Sequence, residues 1–203
     1  MSQLLEIHPT HPQPRMIRVV ADVVRQGGVV VYPTDTAYAL GCHLGDKTAL
    51  ERIVALRKLP KHHQFTLACR DLSELGTYAR VDNMGYRLLR RATPGPYTFI
   101  LKATREVPKR LLHIKRRTIG LRVPDHAIAR AMLEMLGEPM LTTTVRLPDQ
   151  TEPMEDARAI FDLIGKRVDV VVDSGERSRG VSTVIDLTGV EPEVIREGIG
   201  AIP

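Results

Sequence analysis

Hydroxyl, carboxylate and phenol side chains directly follow an apolar, β-branched run near the amino terminus, at Thr34, Asp35, Thr36 and Tyr38. The run at residues 29–32 predicts a buried strand, and Pro33 predicts its end because proline cannot donate to a sheet ladder. Ligands of α/β proteins bind at the carboxyl ends of strands, so this cluster is suited to bind a small polar molecule. The alternative is that Thr34, Asp35 and Thr36 cap a helix beginning near Asp46.

Positive charge is concentrated in the middle third of the chain. Between Arg80 and Arg122 there are twelve Lys or Arg and two acids, a local balance of +10 in a protein of net charge +5. This stretch is either a solvated helix face with a loop, or a surface for the phosphates of RNA or of a nucleotide. Its aromatic residues are only Tyr86, Tyr97 and Phe99. Recognition of a duplex backbone is therefore favoured over base stacking.

Helical and strand patterns alternate along the chain and would position these residues. Apolar spacing predicts helices over residues 15–26, 47–56, 83–91, 125–137 and 155–163, and the start of another at 72–75. Apolar runs predict strands over residues 29–32, 65–69, 97–102, 118–123, 139–147, 168–172 and 182–187. Residues 1–14 are interpreted as an extended lead-in and residues 107–117 as a basic loop. We expect one α/β domain spanning residues 1–203.

Composition excludes several classes of protein. No apolar run approaches about 18 residues, so no membrane span is expected, and the amino terminus lacks the pattern of a secretory signal. Cys42 and Cys69 are too few for a disulfide framework, so we expect a cytoplasmic protein with reduced thiols. The adjacent His62 and His63 would rarely converge on one ion, and we predict no metal site. The absence of a Walker sequence excludes an ordinary P-loop NTPase.

Four sequence blocks resemble the YrdC/YciO family. PTDTAYALG at residues 33–41 resembles its signature PT(D/E)TxYxLG. PGPYTFIL at 94–101, TIGLRVP at 118–124 and STVIDLT at 182–188 resemble PGPLTLIL, TVAVRVP and STVVDLT. The best-known members make threonylcarbamoyl-AMP from ATP, L-threonine and bicarbonate for tRNA modification. The resemblance implies a twisted, mostly parallel open sheet with flanking helices around a concave basic cavity.

The resemblance also implies roles for individual residues. It assigns binding of the amino acid to Thr36, Arg122, Thr142 and Ser182, and it makes Tyr38 a wall of the pocket. The nucleotide is assigned to Arg57, Lys58, His63, Thr118, Thr144 and Arg196. In this assignment Arg122 holds the carboxylate of the amino acid through two parallel hydrogen bonds, whereas a surface ion pair is the ordinary expectation for such a residue. Mg²⁺ is implied with ATP, and catalysis would come from positioning and charge neutralisation.

Two further blocks depart from the family pattern and resemble its YciO branch. RKLP at 57–60 stands where the family has KxRP, so that Leu59 replaces an arginine, and in TTTVRLP at 142–148 Arg146 replaces an asparagine. Arginine only donates, whereas asparagine also accepts, so we expect altered nucleotide handling. Two functions follow as hypotheses. One is a weak nucleotidyltransferase of the threonylcarbamoyl-AMP synthase type, and the other is a double-stranded RNA or tRNA binding protein of the same fold.

Overall fold

One sheet flanked by helices forms the protein in the computed structural model, which describes residues 2–60, 63–113, 115–176 and 179–202. The strands of this described part are β1 Gln3–Glu6, β2 Val30–Tyr32, β3 Ala39–His43, β4 Thr66–Ala68, β5 Ala79–Arg80, β6 Tyr97–Ala103, β7 Thr118–Arg122, β8 Met140–Thr144, β9 Val170–Asp173, β10 Thr183–Asp186 and β11 Glu193–Arg196. The helices are α1 Pro14–Arg25, α2 Lys47–Arg57, α3 Leu72–Tyr78, α4 Asn83–Ala92, α5 Ala127–Leu136 and α6 Ala157–Ile164. The predicted α/β class with a large open sheet is confirmed.

The strands are ordered β1-β9-β2-β3-β8-β4-β7-β6-β10-β11, and β5 pairs with β6. Within the described residues, four neighbouring pairs are parallel and six are antiparallel. The prediction of a mostly parallel sheet is therefore wrong, and the sheet is mixed. One reason that neighbouring strands are antiparallel is that some connections between them are short. Only residues 33–38 join β2 to β3, which is too few for the crossover that a parallel pair requires.

Four described strands, β1, β3, β5 and β11, lie where the sequence pattern predicts none, and β1 and β3 are the two in the first half of the sheet order. The expected lead-in contains β1, which pairs in parallel with β9 so that Leu4 lies opposite Val171. β3 follows the polar loop and runs between β2 and β8, with residues 39–42 buried. Neither segment shows a clear apolar alternation, because β1 is a four-residue edge strand and β3 is covered on both faces.

Aspartate side chains cap the amino-terminal ends of several helices. Asp46 Oδ1 accepts a hydrogen bond from the Ala49 backbone N–H at 2.8 Å, at the start of α2. Asp71, Asp82 and Asp156 do the same for α3, α4 and α6. The alternative in which the cluster at residues 34–36 caps α2 is therefore wrong. In the described part of the chain, no helix has the length and apolar character needed to cross a membrane.

Two apolar cores lie on opposite faces of the sheet. Helices α2, α3, α4 and α6 cover one face from β9 to β10, where Leu67, Phe99 and Leu121 are buried. Helices α1 and α5 cover only part of the other face, over Ala39 and Met140. Among the described residues, β6, β7 and β10 contribute nothing to this second core. The sheet is therefore left uncovered beside α1 and α5, and a concave hollow forms there.

Both cysteines lie in the larger core as free thiols. Burial raises the pKa of Cys42 to about 12. Burial also raises the pKa of Cys69 well above its ordinary value. Both thiols are therefore protonated at neutral pH and poorly suited to act as nucleophiles.

Candidate functional site

The uncovered face of the sheet is the floor of a cavity of about 620 Å³. Seven neighbouring strands, from β3 to β11 in the sheet order, contribute residues to its lining, because alternate residues of a strand point to the same face. The register places Thr142 opposite Thr66 and Thr98 opposite Val184. The floor is consequently rich in hydroxyl groups, with Thr144 and Ser182 adding two more. Its volume is in the range of sites for small molecules.

Arginines from distant parts of the chain line this cavity, and in the described residues they are Arg57, Arg122, Arg146 and Arg196. The first two end α2 and β7, the third follows β8 and the fourth ends β11. The lining contains one carboxylate in the described chain, that of Glu152. Among the described residues, Arg122 alone of the four arginines forms an ion pair with an acidic side chain. The cavity therefore carries uncompensated positive charge. Such a hollow attracts anions.

Hydrogen bonds hold two of these guanidinium groups without neutralising them. Arg57 Nε donates to the Arg146 carbonyl at 3.1 Å, and its Nη1 donates to Thr143 Oγ1. Arg196 donates to the Ser182 carbonyl from Nε at 3.1 Å and from Nη2 at 2.8 Å. The Ser182 hydroxyl lies 3.1 Å from Arg196 Nη2 and 2.9 Å from Thr98 Oγ1. These bonds fix the orientation of both side chains. Because the acceptors are neutral oxygens, both positive charges remain available to bind an anionic ligand.

Burial and mutual repulsion disfavour the charged forms of the groups around the cavity. Burial, followed by the charge of Arg146, lowers the pKa of Arg57 to about 10. The pKa of Arg196 is lowered by burial and then by Arg146 and Arg122. Burial is also the main reason that the pKa of His63 falls to about 4, with Arg57 and Arg146 adding to it. His63 is therefore neutral at pH 7, and a bound anion would relieve the repulsion among the arginines.

Arg122 forms a buried ion pair at the edge of the cavity, so the expectation of a surface ion pair is wrong. Its Nη2 donates to Asp35 Oδ1 at 2.6 Å and its Nη1 donates to Thr36 Oγ1 at 3.3 Å. Arg122 Nε and Asp35 Oδ2 are buried and have no hydrogen-bond partner among the described residues, and the same is true of Gln64 Nε2. A ligand carboxylate held by two parallel bonds would have to share this guanidinium with Asp35.

Thr36 and Tyr38 line a second, smaller recess of about 250 Å³. The Tyr38 hydroxyl donates to the Glu176 carbonyl at 2.9 Å. Glu176 Oε2 also lies 3.1 Å from His126 Nε2. The predicted wall residue Tyr38 therefore faces this recess and is absent from the lining of the large cavity. Thr36 borders the large cavity through its bond to Arg122 and through the next residue, Ala37, which lines that cavity.

The large cavity brings together seven of the predicted site residues, namely Arg57, His63, Arg122, Thr142, Thr144, Ser182 and Arg196. Thr118 is fully buried and reaches the cavity indirectly, by donating to Gln64 Oε1 at 3.1 Å. Lys58 is exposed and lies outside the lining, because the left-handed backbone at this residue ends α2 and turns the chain. Lys61 and His62, which follow the RKLP block in the sequence, fall outside the described residues.

Several lining residues were not identified from the sequence, namely Gln64, Thr66, Thr98, Thr143 and Glu152. Alternation along β6 and β8 places Thr98 and Thr142 on definite faces of their strands. It does not tell which face the helices leave open. The missing signal was therefore the coverage of the sheet, which depends on contacts between distant segments.

Comparison with known proteins places the chain among relatives. Residues 22–198 match the Sua5/YciO/YrdC family sequence model, which is described as telomere recombination. The chain belongs to this family. It is 54% identical over 202 residues to the uncharacterized protein YciO of Escherichia coli K12, over 100% of this chain and 98% of that protein. It is 30% identical over 184 residues to threonylcarbamoyl-AMP synthase of Pyrococcus abyssi, over 90% of this chain and 54% of that protein.

Solved structures of the family have the same fold. The crystal structure of E. coli YciO matches with a TM-score of 0.96 at 54% identity, over 99% of this chain and 98% of that one. P. abyssi Sua5 complexed with L-threonine matches with a TM-score of 0.89 at 24% identity, over 97% of this chain and 58% of that one. The predicted relation to the YrdC/YciO family is confirmed.

Proposed function

We propose that this protein is a nucleotidyltransferase of the threonylcarbamoyl-AMP synthase type, which binds ATP and an amino acid in the arginine-lined cavity. The proposal is carried by the convergence of Arg57, Arg146 and Arg196 above a hydroxyl-rich floor. The 30% identity to a threonylcarbamoyl-AMP synthase supports the choice of reaction. L-threonine is the proposed amino acid, since it is the ligand in the P. abyssi Sua5 complex.

The proposed reaction needs no covalent nucleophile from the protein. Bicarbonate and the amine of threonine join through a new C–N bond with loss of water, which gives a carbamate. A carbamate oxygen then bonds to the α-phosphorus of ATP as the bond to pyrophosphate breaks. Arg57, Arg146 and Arg196 would balance the charge of the phosphates, and the hydroxyls of Thr142 and Ser182 would orient the substrates.

Mg²⁺ is part of this proposal only as a companion of ATP. Among the described residues, no group of three His, Cys, Asp or Glu side chains comes together to hold a metal ion. The cavity offers guanidinium and hydroxyl groups, with Glu152 as its carboxylate in the described lining. This donor set does not fit a metal held by the protein alone, and the ion would enter coordinated by phosphates.

The test is release of pyrophosphate by the purified protein with ATP, L-threonine and bicarbonate. We expect release that requires all three reactants. Arg57→Gln should slow it about tenfold or more, because a charge-assisted contact to phosphate is worth about 1.5–3 kcal/mol. Arg90→Gln is the matched control, since Arg90 is exposed on α4 and does not line the cavity. No release, or release that does not depend on threonine, would overturn the proposal.

A second candidate function is binding of double-stranded RNA or tRNA, and the distribution of surface charge favours it. Of the twelve cations between Arg80 and Arg122, all except Arg122 are exposed. Within the described residues, Arg116 is the only exposed one in an ion pair. The register places Arg80 directly beside Lys102 on neighbouring strands. Exposed and unneutralised cations are the usual contacts to a phosphate backbone.

Binding of a labelled RNA duplex at increasing salt concentration tests this second function. We expect the Lys102→Gln and Arg105→Gln double variant to weaken binding to every sequence equally and to reduce the slope of log affinity against log salt by about 1–2. Arg57→Gln is the control, because Arg57 lies inside the cavity. An affinity that does not change with salt would exclude backbone binding.

A further inference from the structure

A second large hollow, which we call the α4–β11 groove, lies between helix α4 and the edge strand β11 and has a volume of about 770 Å³. Ile185 and Val194 line this groove, whereas their chain neighbours Val184 and Ile195 line the arginine-rich cavity. Because neighbouring residues of a strand point to opposite faces, the two hollows lie on opposite sides of the sheet. No described residue lines both of them, so the groove is a separate candidate site.

Exposed apolar side chains are concentrated around this groove. In the part of the chain that the structure describes, all the large apolar side chains that are exposed, except Leu163, belong to α4 or to residues 190–202. Met84, Val194 and Ile202 are three of them, with exposed fractions of 40%, 36% and 59%, and all three line the groove. Apolar side chains gathered around one concave surface are typical of a site of protein interaction.

Arginines of α4 line the same groove without acidic partners. Arg87 and Arg91 lie one turn apart on the helix, and both are exposed. Arg87 Nε donates to the Asn83 carbonyl at 3.2 Å, and this acceptor is neutral. Within the described residues, neither guanidinium forms an ion pair, and no Asp or Glu lines the groove. The groove therefore suits an occupant that combines apolar side chains with negative charge.

The position of β11 favours a polypeptide as this occupant. β11 is the last strand in the sheet order, so its outer edge has no strand partner among the residues described. Backbone N–H and C=O groups of such an edge can pair with an extended segment of another protein. RNA binds mainly through charge and does not need the apolar lining. A membrane surface is bound by apolar side chains that protrude, whereas here they surround a hollow.

A second copy of this chain fits the groove poorly. A twofold interface uses the same surface on both copies. Pairing through this groove would therefore bring Arg87 and Arg91 of the two copies close together. Like charges facing each other disfavour association.

We propose that the α4–β11 groove binds an acidic segment of a different protein, with apolar side chains of that segment in the groove and its carboxylates on Arg87 and Arg91. Burial of the apolar side chains supplies the affinity, and the charge pairs steer association and select acidic partners. The inference is independent of the proposed function, because it uses no residue of the arginine-rich cavity.

The experiment selects binders to the full-length protein from a phage-displayed library of random short peptides and measures their affinities by fluorescence anisotropy. We expect enriched peptides that combine Asp or Glu with Val, Ile, Leu or Phe. The Arg87→Glu and Arg91→Glu double variant should weaken their binding about tenfold or more, because it replaces attraction by repulsion. Val194→Asp should weaken it to a similar extent by placing a charge on the apolar wall.

Matched controls carry the same changes away from the groove. The Arg15→Glu and Arg18→Glu double variant changes the net charge equally, at exposed positions of α1. Leu163→Asp places the same carboxylate on α6, where Leu163 is 61% exposed. Both controls should bind the enriched peptides as the wild type does. Far-ultraviolet circular dichroism of each variant shows that it is folded.

No enriched peptide, enriched peptides without acidic residues, or equal losses in the control variants would each overturn the inference. Sedimentation velocity tests for self-association, and a dimer that Val194→Asp abolishes would assign the groove to a second copy instead. Binding of an RNA duplex or of phosphatidylserine vesicles that is lost in Val194→Asp and kept in Leu163→Asp would also overturn it. Absence of threonine-dependent pyrophosphate release would refute the proposed function and leave this inference intact.

Discussion

Asp35 and Arg122 form a buried ion pair that connects the loop at residues 33–38 to the end of β7. Both side chains are 9% exposed, and their contact of 2.6 Å joins Asp35 Oδ1 to Arg122 Nη2. Each side chain also keeps one buried polar atom that has no partner among the described residues. At the residue scale, this pair is costly to disrupt, because removing either partner leaves an uncompensated charge in the interior.

Replacing Asp35 with asparagine should therefore lower the free energy of unfolding by about 3–5 kcal/mol, measured by urea denaturation at pH 7. Asp22→Asn is the matched control. Asp22 pairs with Arg25 at 2.9 Å, but the two side chains are 47% and 42% exposed. Its replacement should change stability by less than about 0.5 kcal/mol. Similar losses in the two variants would contradict the assignment of a buried pair.

His63 is expected to make the folded state sensitive to acid. Its pKa falls from an ordinary value of 6.5 to about 4 in the folded state, mainly through burial. Between these values the unfolded chain binds more protons than the folded one, so stability rises with pH across this window. The contribution is fully present above pH 6.5 and is lost as the pH falls towards 4.

Unfolding free energies at pH 7 and pH 5 test this sensitivity. From pH 7 to pH 5, the free energy of unfolding of His63→Gln should fall less than that of the wild type. The reason is that the variant lacks the imidazole that takes up a proton on unfolding. His11→Gln serves as the control, since His11 is exposed near the amino terminus. An identical pH dependence of wild type and His63→Gln would refute the role of His63.

At the scale of elements, the close approach of β4 and β7 shapes the floor of the cavity. Thr66 lies opposite Gly120 in this parallel pair. A Cβ atom added to Gly120 would lie 2.5 Å from Thr66 Oγ1 and 3.0 Å from the Phe65 carbonyl oxygen. The second of these neighbours is backbone and cannot rotate away. Glycine is therefore required at this position so that the two strands can pair beneath the cavity.

Gly120→Ala should destabilise the protein by about 1–3 kcal/mol, the usual effect of overpacking, and should weaken ligand binding through the distorted floor. Thermal denaturation and calorimetry measure the two effects. Gly76→Ala is the control, because Gly76 lies in α3 and an added Cβ atom would meet nothing within 4 Å. This second change should stabilise the protein by about 0.5–1 kcal/mol through helix propensity. If Gly120→Ala is as stable as the wild type, then β4 and β7 can move apart with little loss of stability, and glycine is not required at this position.

At the scale of the whole molecule, one sheet separates the two cores. Val171 contributes to the core beneath α2 and α6, whereas its neighbours Val170 and Val172 contribute to the core beneath α1 and α5. The same strands contribute to both cores, so loss of one core also exposes side chains on the opposite face of the sheet. The prediction of a single domain over the chain therefore implies one cooperative unfolding transition.

Leu133→Ala tests this prediction from the smaller core. Leu133 is fully buried on α5, and its truncation should cost about 2–5 kcal/mol. We expect the transitions followed by near- and far-ultraviolet circular dichroism to coincide in both the wild type and the variant. Two separate transitions, with only one shifted by the mutation, would refute the single domain.

The sequence by itself determined the family, the positions of the helices and most strands, and seven of the residues that line the cavity. Blocks such as PTDTAYALG are local, and apolar periodicity reports burial along one segment. The short strands β1 and β3 gave no such periodicity. The sequence also indicated that Leu59 and Arg146 depart from the family pattern, because this can be recognised from residue identity alone.

Only the tertiary structure decided the direction in which strands pair, the face of the sheet that stays open, and the separation of Tyr38 from the large cavity. These features depend on contacts between residues far apart in the chain, such as the bond between Arg57 and the Arg146 carbonyl across 89 positions. Periodicity carries no information about which distant segment covers a face. The physical reason is that helix coverage and strand register are set by packing of the complete chain, so the convergence of the arginines emerges only when it folds.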